Sequence, residues 1–211
     1  MVSGLIPSLE EEQLLLAQGY RLIAGVDEAG RGALAGPVVA AAVILPAEIK
    51  TDWAEQVRDS KMLRQSVREF LSRGIQEIAL SVGIGAVSHE DIDDMGIARA
   101  SRLAMKIAIE RLSPEPQYVL VDYFNLPEVA LPQKGLVDGD AICFSIACAS
   151  IIAKVARDNM MQDFDVSYQG YGFARHKGYG TREHQACLSK LGVSPIHRRS
   201  FRPVREIIYR Q

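Results

Sequence analysis

Short apolar runs alternate with longer amphipathic segments along the chain, and this alternation predicts an α/β protein. Runs rich in Val, Ile and Ala predict strands at 21–27, 37–45, 79–87 and 117–122. Apolar positions three or four residues apart predict helices at 11–19, 64–78, 95–112 and 141–158, and a last helix with Pro203 in its first turn. The second strand has so few polar positions that we expect both of its faces to be covered.

Two details of this pattern predict local geometry. Gly83 and Gly85 interrupt the third strand, which indicates a bulge or the close approach of another segment. Ser88 followed by Asp91 predicts the N-cap of the next helix, because a serine side chain can accept the free N–H groups of a first turn. The acidic cluster at 90–94 is therefore interpreted as a helix start and not as a metal site.

The composition is that of a soluble globular protein. A chain of 211 residues with 48% hydrophobic and 24% charged residues is long enough for one sizeable domain. The N-terminus lacks the basic start and cleavage site of a secretory signal, and the apolar runs are too short to cross a bilayer, so we expect a cytoplasmic protein with no membrane contact. Three cysteines without paired spacing favour buried thiols over a disulfide framework or a zinc site.

Charge is unevenly distributed along the chain. Residues 171–211 carry nine lysines or arginines against two glutamates, whereas residues 1–170 carry the acidic excess that brings the whole chain to −2. Such asymmetry is typical of a protein in which one part binds phosphates and another binds metal cations. Attraction between the two parts within the fold is an equally good explanation, so the charge count does not decide between them.

The candidate chemistry centres on two adjacent acids, Asp27 and Glu28, and the glycine-flanked arginine that follows them. Neighbouring residues of a strand point to opposite faces, so these acids share one site only if the backbone bends there. Gly30 and Gly32, on either side of Arg31, allow such a bend and leave backbone N–H groups open to a ligand. A surface turn with solvated acids is the alternative interpretation.

The string from Asp27 to Gly32 resembles the end of the first strand of ribonuclease HII, and the resemblance covers nearly the whole chain from about residue 20. It implies an RNase H-like mixed sheet flanked by helices over residues 1–170. A helical, basic C-terminal part with a substrate-binding loop would follow at 171–211 and pack on the same domain. The resemblance also implies roles for five residues of the string. Asp27 and Glu28 would bind catalytic magnesium, and Gly30, Arg31 and Gly32 would grip the ribonucleotide around its 2′-hydroxyl and phosphate.

Two further acids match motif positions of this family. Asp122 ends a buried strand just before a loop, where α/β proteins tend to place chemistry, and the resemblance makes it the third metal-binding acid. Asp158 ends the run 149–158, which is similar to the family's signature helix, and is expected to be the fourth. The alternative for Asp158 is an ion pair with Lys154, although lysine before the acid is the weaker order for such a pair. Asp140, near the start of the same helical stretch, is interpreted as a cap.

Two more site residues depend on the resemblance. Lys61 follows Ser60 in a pair similar to one in the family, which implies a contact with the substrate backbone; a solvent-facing charge is its default interpretation. Tyr179 lies in a segment at 170–184 rich in glycine, aromatic rings and cations, a composition that suits stacking on a sugar or base. By position it would pack against the deoxynucleotide after the ribonucleotide. The loop at 123–127 differs from many relatives, so its substrate contacts stay open.

Four carboxylates from separated segments, without a Ser–His or Cys–His pair, favour hard cations: Mg²⁺, with Mn²⁺ as a substitute. The resemblance implies a monomeric endoribonuclease that cuts RNA in RNA–DNA hybrids and single ribonucleotides embedded in duplex DNA, leaving 3′-hydroxyl and 5′-phosphate ends. Two alternatives stay open. One is a structure-selective DNA nuclease or resolvase on the same fold, which would not need a 2′-hydroxyl. The other is a hybrid-binding module that has lost catalysis.

Overall fold

A five-stranded mixed sheet forms the centre of the computed structural model, which describes residues 6–209. The strands are β1 Ile23–Ala29, β2 Val38–Ile44, β3 Ser81–Val87, β4 Tyr118–Asp122 and β5 Gln133–Leu136. Their order across the sheet is β3-β2-β1-β4-β5. The first three strands pair antiparallel, and β4 and β5 pair parallel to β1 and to each other. The predicted mixed α/β sheet is confirmed.

Helices cover both faces of the sheet and continue to the C-terminus. They are α1 Glu10–Ala17, α2 Gln65–Ile78, α3 His89–Met95, α4 Ile97–Glu110, α5 Gly139–Ile142, α6 Phe144–Ser167, α7 Phe173–His176, α8 Arg182–Leu191 and α9 Arg202–Ile208. Ser88 caps α3 by accepting the Asp91 N–H, and Pro203 lies in the first turn of α9, as predicted. Within residues 6–209, no helix is both long and apolar enough to span a membrane.

Every residue of β2 is buried, as its sequence predicts. Alternate side chains of the strand point to two separate cores. Ala40 and Ala42 pack with α4, whereas Ala41 and Val43 pack with α2 and α6. Burial on both faces explains why the strand reads as one continuous apolar run instead of alternating with polar residues.

Glycines in the sheet allow the two long helices to approach closely. A Cβ atom on Gly85 would lie 2.1 Å from the Ala104 carbonyl oxygen of α4, and one on Gly25 would lie 2.2 Å from the Ser145 carbonyl carbon of α6. Any side chain at these positions would push the helix away from the sheet. The close approach predicted from the glycines of β3 is confirmed.

Several elements differ from the sequence prediction. The helix expected at 141–158 is divided at Cys143 into α5 and α6, and α6 continues to Ser167. The helix expected at 95–112 begins after Gly96, whose φ of +81° ends α3 and lets the chain turn into α4. β5 was not predicted, because its four residues carry no apolar alternation and its pairing with β4 is set by the tertiary fold. The cysteines are free thiols, as expected; Cys143 and Cys148 are buried and Cys187 is partly exposed.

The C-terminal segment packs over the glycine-rich turn between β1 and β2. Ala35 forms a bridge with His197, and the Arg198 N–H donates to the Leu34 carbonyl over 2.9 Å. Leu34 also contacts Leu188 and Val204 in a small apolar cluster. These contacts join the basic end of the chain to the turn that carries the candidate site.

Candidate active site

The acid pair lies at the end of β1. Asp27 is buried and Glu28 half-buried, and the Asp27 carboxylate accepts the backbone N–H of Glu28 over 2.6 Å. Pairing with β2 continues in register through Ala29, so the expected bend at the acids does not interrupt the strand. Both acids nevertheless line one cavity of about 520 Å³. The cavity lies at the end of the strand and not over one face, which explains how neighbouring side chains both reach it.

Eight of the nine predicted site residues line this cavity. They are Asp27, Glu28, Gly30, Arg31, Gly32, Lys61, Asp122 and Tyr179. Asp122, the last residue of β4, reaches it from the neighbouring parallel strand, and its carboxylate accepts the Gly139 N–H over 2.7 Å. Residues separated by up to 152 positions in the sequence thus meet in one place.

The ninth residue, Asp158, does not join the other three acids. Its carboxylate receives a hydrogen bond from Lys154 Nζ over 2.5 Å and lies 3.5 Å from Arg68 Nη2. The structure therefore contains the ion pair considered as the alternative for Asp158. Lys154 and Arg68 both line the cavity, whereas Asp158 is buried behind them. A carboxylate in this position holds two cations of the cavity wall in place.

Asp140 lies close enough to the acids of β1 and β4 for its charge to contribute to the raised pKa of both Asp27 and Asp122. It is the second residue of the short helix α5, is buried, and accepts a hydrogen bond from Lys61 Nζ over 3.0 Å. The residue at the N-cap of α5 is Asp138, and no side chain caps this helix, so the interpretation of Asp140 as a cap is wrong. In the sequence, the available signal for Asp140 was its position after Gly139 and just before the helix rich in small residues. In the structure, the Gly139 N–H donates to Asp122, and this helix packs on β1.

Burial and mutual repulsion act on the protonation of these acids. Burial, followed by the charges of Glu28, Asp122 and Asp140, raises the pKa of Asp27 well above its usual value. Burial and the charge of Asp140 raise the pKa of Asp122 to about 6. Burial works to lower the pKa of Lys61, but its hydrogen bond to Asp140 and the charges of Asp140, Asp59 and Asp27 together outweigh this effect and raise that pKa. Burial is the main cause of the raised carboxyl pKa values, and repulsion between neighbouring acids adds to it.

The glycine turn is held by two buried arginines. Gly30 has a φ of +92°, and a Cβ atom there would lie 1.9 Å from the Arg157 Nε, so only glycine fits. Arg198 donates from Nη1 to the Arg31 carbonyl over 3.0 Å. Gly32 has no neighbouring atom within 4 Å of a Cβ position, so its backbone is open to the cavity.

Two aromatic rings lie beside this turn. The Arg31 guanidinium lies over the Phe124 ring, 5.5 Å from its centroid, and 3.7 Å from the Glu28 carboxylate. The half-buried Tyr179 ring lies within about 5.5 Å of two cations, Lys154 and Arg157. Cations over ring faces restrict both rings and add positive charge to the cavity wall.

Residues 24–204 of the chain match the family model described as Ribonuclease HII. The chain belongs to the ribonuclease HII family. Members of this family are ribonuclease H endonucleases that hydrolyse RNA in RNA–DNA hybrids, and family membership assigns this activity to the chain.

Individual members of the family are similar to most of this chain. A ribonuclease HII from Dehalococcoides mccartyi is 59% identical over 202 residues, which cover 96% of this chain and 95% of that protein. The crystal structure of ribonuclease H2 from Pyrococcus horikoshii OT3 is similar, with a TM-score of 0.74 and 26% identity, covering 89% of this chain and 97% of that one. Archaeoglobus fulgidus RNase HII, solved in complex with PCNA, has a TM-score of 0.69 and 26% identity, with 84% and 93% covered.

The chemistry of the cavity fits a hard divalent cation. Its acids offer only oxygen donors, which Mg²⁺ and Mn²⁺ prefer, and a bound cation would relieve the mutual repulsion of Asp27, Glu28 and Asp122. Among the described residues, no three His, Cys, Asp or Glu side chains converge tightly enough to form a complete ligand set by themselves. Water and substrate oxygens complete such sites when the metal is Mg²⁺.

Proposed function

We propose that this ribonuclease HII cuts RNA–DNA hybrids and also single ribonucleotides embedded in duplex DNA, leaving 3′-hydroxyl and 5′-phosphate ends, with Mg²⁺ or Mn²⁺ as cofactor. The observation that carries the proposal is one cavity lined by the buried Asp27, the half-buried Glu28 and Asp122, the open glycine turn and Tyr179. Asp27, Glu28, Asp122 and Asp140 are the proposed metal-binding and catalytic residues. All of them belong to one chain, so the proposed site needs no residue from a second copy, and we propose a monomeric enzyme.

Metal ions and protein side chains have separate roles in the proposed hydrolysis. Divalent ions held by these carboxylates would activate a water and stabilise the leaving 3′-oxygen. Asp27 and Asp122 are fixed by the hydrogen bonds that they accept from the backbone N–H groups of Glu28 and Gly139. Lys61 orients Asp140 and keeps its charge partly neutralised. The carboxylates are therefore held in place before substrate arrives, which reduces the reorganisation that the reaction requires.

Recognition of the ribose is proposed to depend on the glycine turn and Tyr179. The 2′-hydroxyl is both a donor and an acceptor, and it distinguishes RNA from DNA. The open backbone at Gly32 and the Arg31 side chain provide polar partners for it on one side of the cavity. Tyr179 provides a ring against which the sugar of the next deoxynucleotide can pack. Together they would detect an RNA-to-DNA junction.

The cavity wall also offers cations for the phosphate backbone. Arg68 and Lys154 line the cavity and are fixed by Asp158, while the exposed Lys61 reaches over the acids. Neutralisation of phosphates by such side chains makes binding weaken steeply as salt concentration rises. In this proposal Asp158 positions the phosphate-binding cations and does not bind metal.

A cleavage assay tests the proposal and separates it from both alternatives. The substrates are a duplex with one ribonucleotide, a long RNA–DNA hybrid and an all-DNA duplex, each with Mg²⁺, with Mn²⁺ and with a chelator. We expect metal-dependent cleavage of the first two, with a 3′-hydroxyl and a 5′-phosphate at the cut, and none of the third. Cleavage of the all-DNA duplex would favour the DNA nuclease, and binding without cleavage would favour the catalytically inactive module.

A further inference from the structure

Three histidines are buried together next to the candidate active site, and the proposed reaction uses none of them. His176, His184 and His197 come from α7, α8 and the loop before α9, and each is at most 7% exposed. The rings of His176 and His184 stack at 4.2 Å, and His184 Nε2 lies 2.9 Å from His197 Nε2. The edge of the buried Phe173 ring contacts this group.

For His184 and His197, the hydrogen bonds define which ring nitrogen carries the proton. His184 Nδ1 faces the Tyr179 carbonyl at 3.0 Å, and a carbonyl only accepts, so Nδ1 must donate. His184 Nε2 is then an acceptor, and the proton of that contact belongs to His197 Nε2. His197 Nδ1 in turn accepts from the Ser194 N–H over 2.9 Å and from its hydroxyl at 2.7 Å. Each bond therefore requires the next one, and both rings are neutral.

This chain of hydrogen bonds ends at the backbone of residues 177–179, which carries the Tyr179 ring. The Tyr179 carbonyl accepts a hydrogen bond from His184 Nδ1, and the preceding Gly178 N–H donates to His176 Nδ1 over 3.2 Å. The loop needs such support, because Lys177 and Gly178 have φ values of +53° and +79°, a conformation that L residues such as Lys177 rarely adopt. The histidines thus fix the backbone immediately around the ring that faces the cavity.

We propose that Ser194, His197 and His184 form a positioning relay that sets the place of Tyr179 for the recognition of an RNA-to-DNA junction. The inference rests on the substrate role proposed for Tyr179. None of the three residues lines the cavity, so they act through the tyrosine and are positioning residues, not catalytic ones. The pKa values of His184 and His197, lowered mainly by burial to about 4, agree with two rings that stay neutral at physiological pH.

Kinetics in two backgrounds test the relay. His197→Phe keeps a buried ring but removes the proton donated to His184, and we expect KM for the single-ribonucleotide duplex to rise roughly tenfold with kcat changed less than about twofold. In a Tyr179→Ala background the same change should have less than about a twofold effect, because residues that act through one another are not additive. Equal losses in both backgrounds would overturn the relay and indicate a general structural role.

Two further variants protect this test from misfolding. In His197→Gln, the side-chain amide can donate from the position of the ring Nε2, and we expect its KM to return most of the way to the wild-type value. Ser194→Ala removes only one hydroxyl and should give a smaller change in the same direction. Ser189→Ala on α8 is the matched control, since its hydroxyl donates to the Gln185 carbonyl outside the relay. A KM for Ser189→Ala that changes as much as for Ser194→Ala would argue against the relay.

A spectroscopic measurement on the full chain separates this inference from the proposed function. Nitrogen-15 NMR should find the Nδ1–H tautomer for His184 and the Nε2–H tautomer for His197 in the wild type, with mixed tautomers at His184 in His197→Phe. If Tyr179→Ala cuts as fast as the wild type, Tyr179 has no substrate role, and the proposed function is wrong on this point. The spectra still test the hydrogen bonds between Ser194, His197 and His184 independently. The opposite tautomers in the wild type would overturn the relay.

Discussion

Lys61 Nζ lies 3.0 Å from Asp140 Oδ2, and this contact joins a loop after β2 to the start of α5. Lys61 lines the cavity, and the charge of Asp140 helps to raise the pKa of Asp122, so we expect Asp140 to belong to the acidic site. Asp158, by contrast, is neutralised by Lys154 and Arg68. The two aspartates therefore have different expected roles.

Replacement of each aspartate by asparagine tests this difference. We expect Asp140→Asn to lower kcat by about 100-fold or more with the fold intact, since it removes a charged oxygen ligand from the cation site. Asp158→Asn should lower kcat less than about tenfold and raise KM, because it only loosens two phosphate-binding cations. Steady-state cleavage rates and Mn²⁺ titration by calorimetry check both variants. The reverse order of effects would restore Asp158 as the fourth metal-binding acid.

Substitution of Tyr179 tests the proposed junction contact. Tyr179→Ala should slow cleavage of a single-ribonucleotide duplex roughly tenfold, which is the loss expected when one stacking contact is removed. A long RNA–DNA hybrid should be affected less, because every position of its RNA strand offers a 2′-hydroxyl. Tyr179→Phe keeps the ring and serves as the control. Wild-type rates for Tyr179→Ala on both substrates would remove this residue from the site.

Arg157 is expected to be one of the most important residues for stability. It is fully buried and donates to the carbonyl oxygens of Ala35, Pro37 and Lys177 over 2.9–3.1 Å. Arg157→Ala would leave these carbonyls buried without partners, so we expect the free energy of unfolding to fall by about 3–5 kcal/mol. Urea denaturation followed by circular dichroism measures the change.

A matched control for this substitution is Arg202→Ala. Arg202 is exposed at the start of α9 and, within residues 6–209, forms an ion pair with Glu206 across one helical turn, an exposed interaction that contributes little to stability. Equal destabilisation by the two substitutions would contradict the role assigned to the buried guanidinium. Arg157→Lys should recover little stability, because an ammonium group cannot reach three separate carbonyls in a planar fork.

Stability should fall in mildly acidic solution because of the buried histidines. Burial first, and then the charges of neighbouring histidines, lower the folded-state pKa of His184 and His197 to about 4, against about 6.5 in the unfolded chain. Above pH 6.5 both rings are neutral in either state and the contribution is complete. As pH falls from 6.5 toward 4, only the unfolded chain gains protons, so the free energy of unfolding decreases, by at most about 3 kcal/mol per ring.

Urea unfolding between pH 7 and pH 4.5 checks this dependence. Carboxylates titrate over part of the same range, so the informative quantity is the difference between the wild type and His197→Gln. The variant lacks one titrating ring, and its stability should decline less steeply with falling pH. Identical slopes for the two proteins would show that His197 is not protonated on unfolding in this range.

Much of the fold was predictable because it is encoded locally. The uniform apolar run of β2 predicted burial on both faces, and Ser88 predicted the start of α3 from the chemistry of one side chain. The acids of β1 and β4 were found as candidates because they end apolar strands, and the structure places them in one cavity. Local sequence could not predict β5, whose pairing depends on a neighbour that is distant until the chain folds.

The sequence by itself determined the family, four of the five strands, and the acids at the strand ends. Only the tertiary structure separates the environments of Asp140 and Asp158. Asp140 lies in α5 and its charge acts on Asp27 and Asp122, whereas Asp158 lies within α6 and pairs with Lys154 and Arg68. These contacts depend on how α5 and α6 dock on the sheet. The same holds for the three histidines, whose proton positions follow from contacts between separate elements. Periodicity and motifs report backbone conformation and burial, whereas the direction in which two distant side chains meet is set by packing over the whole domain.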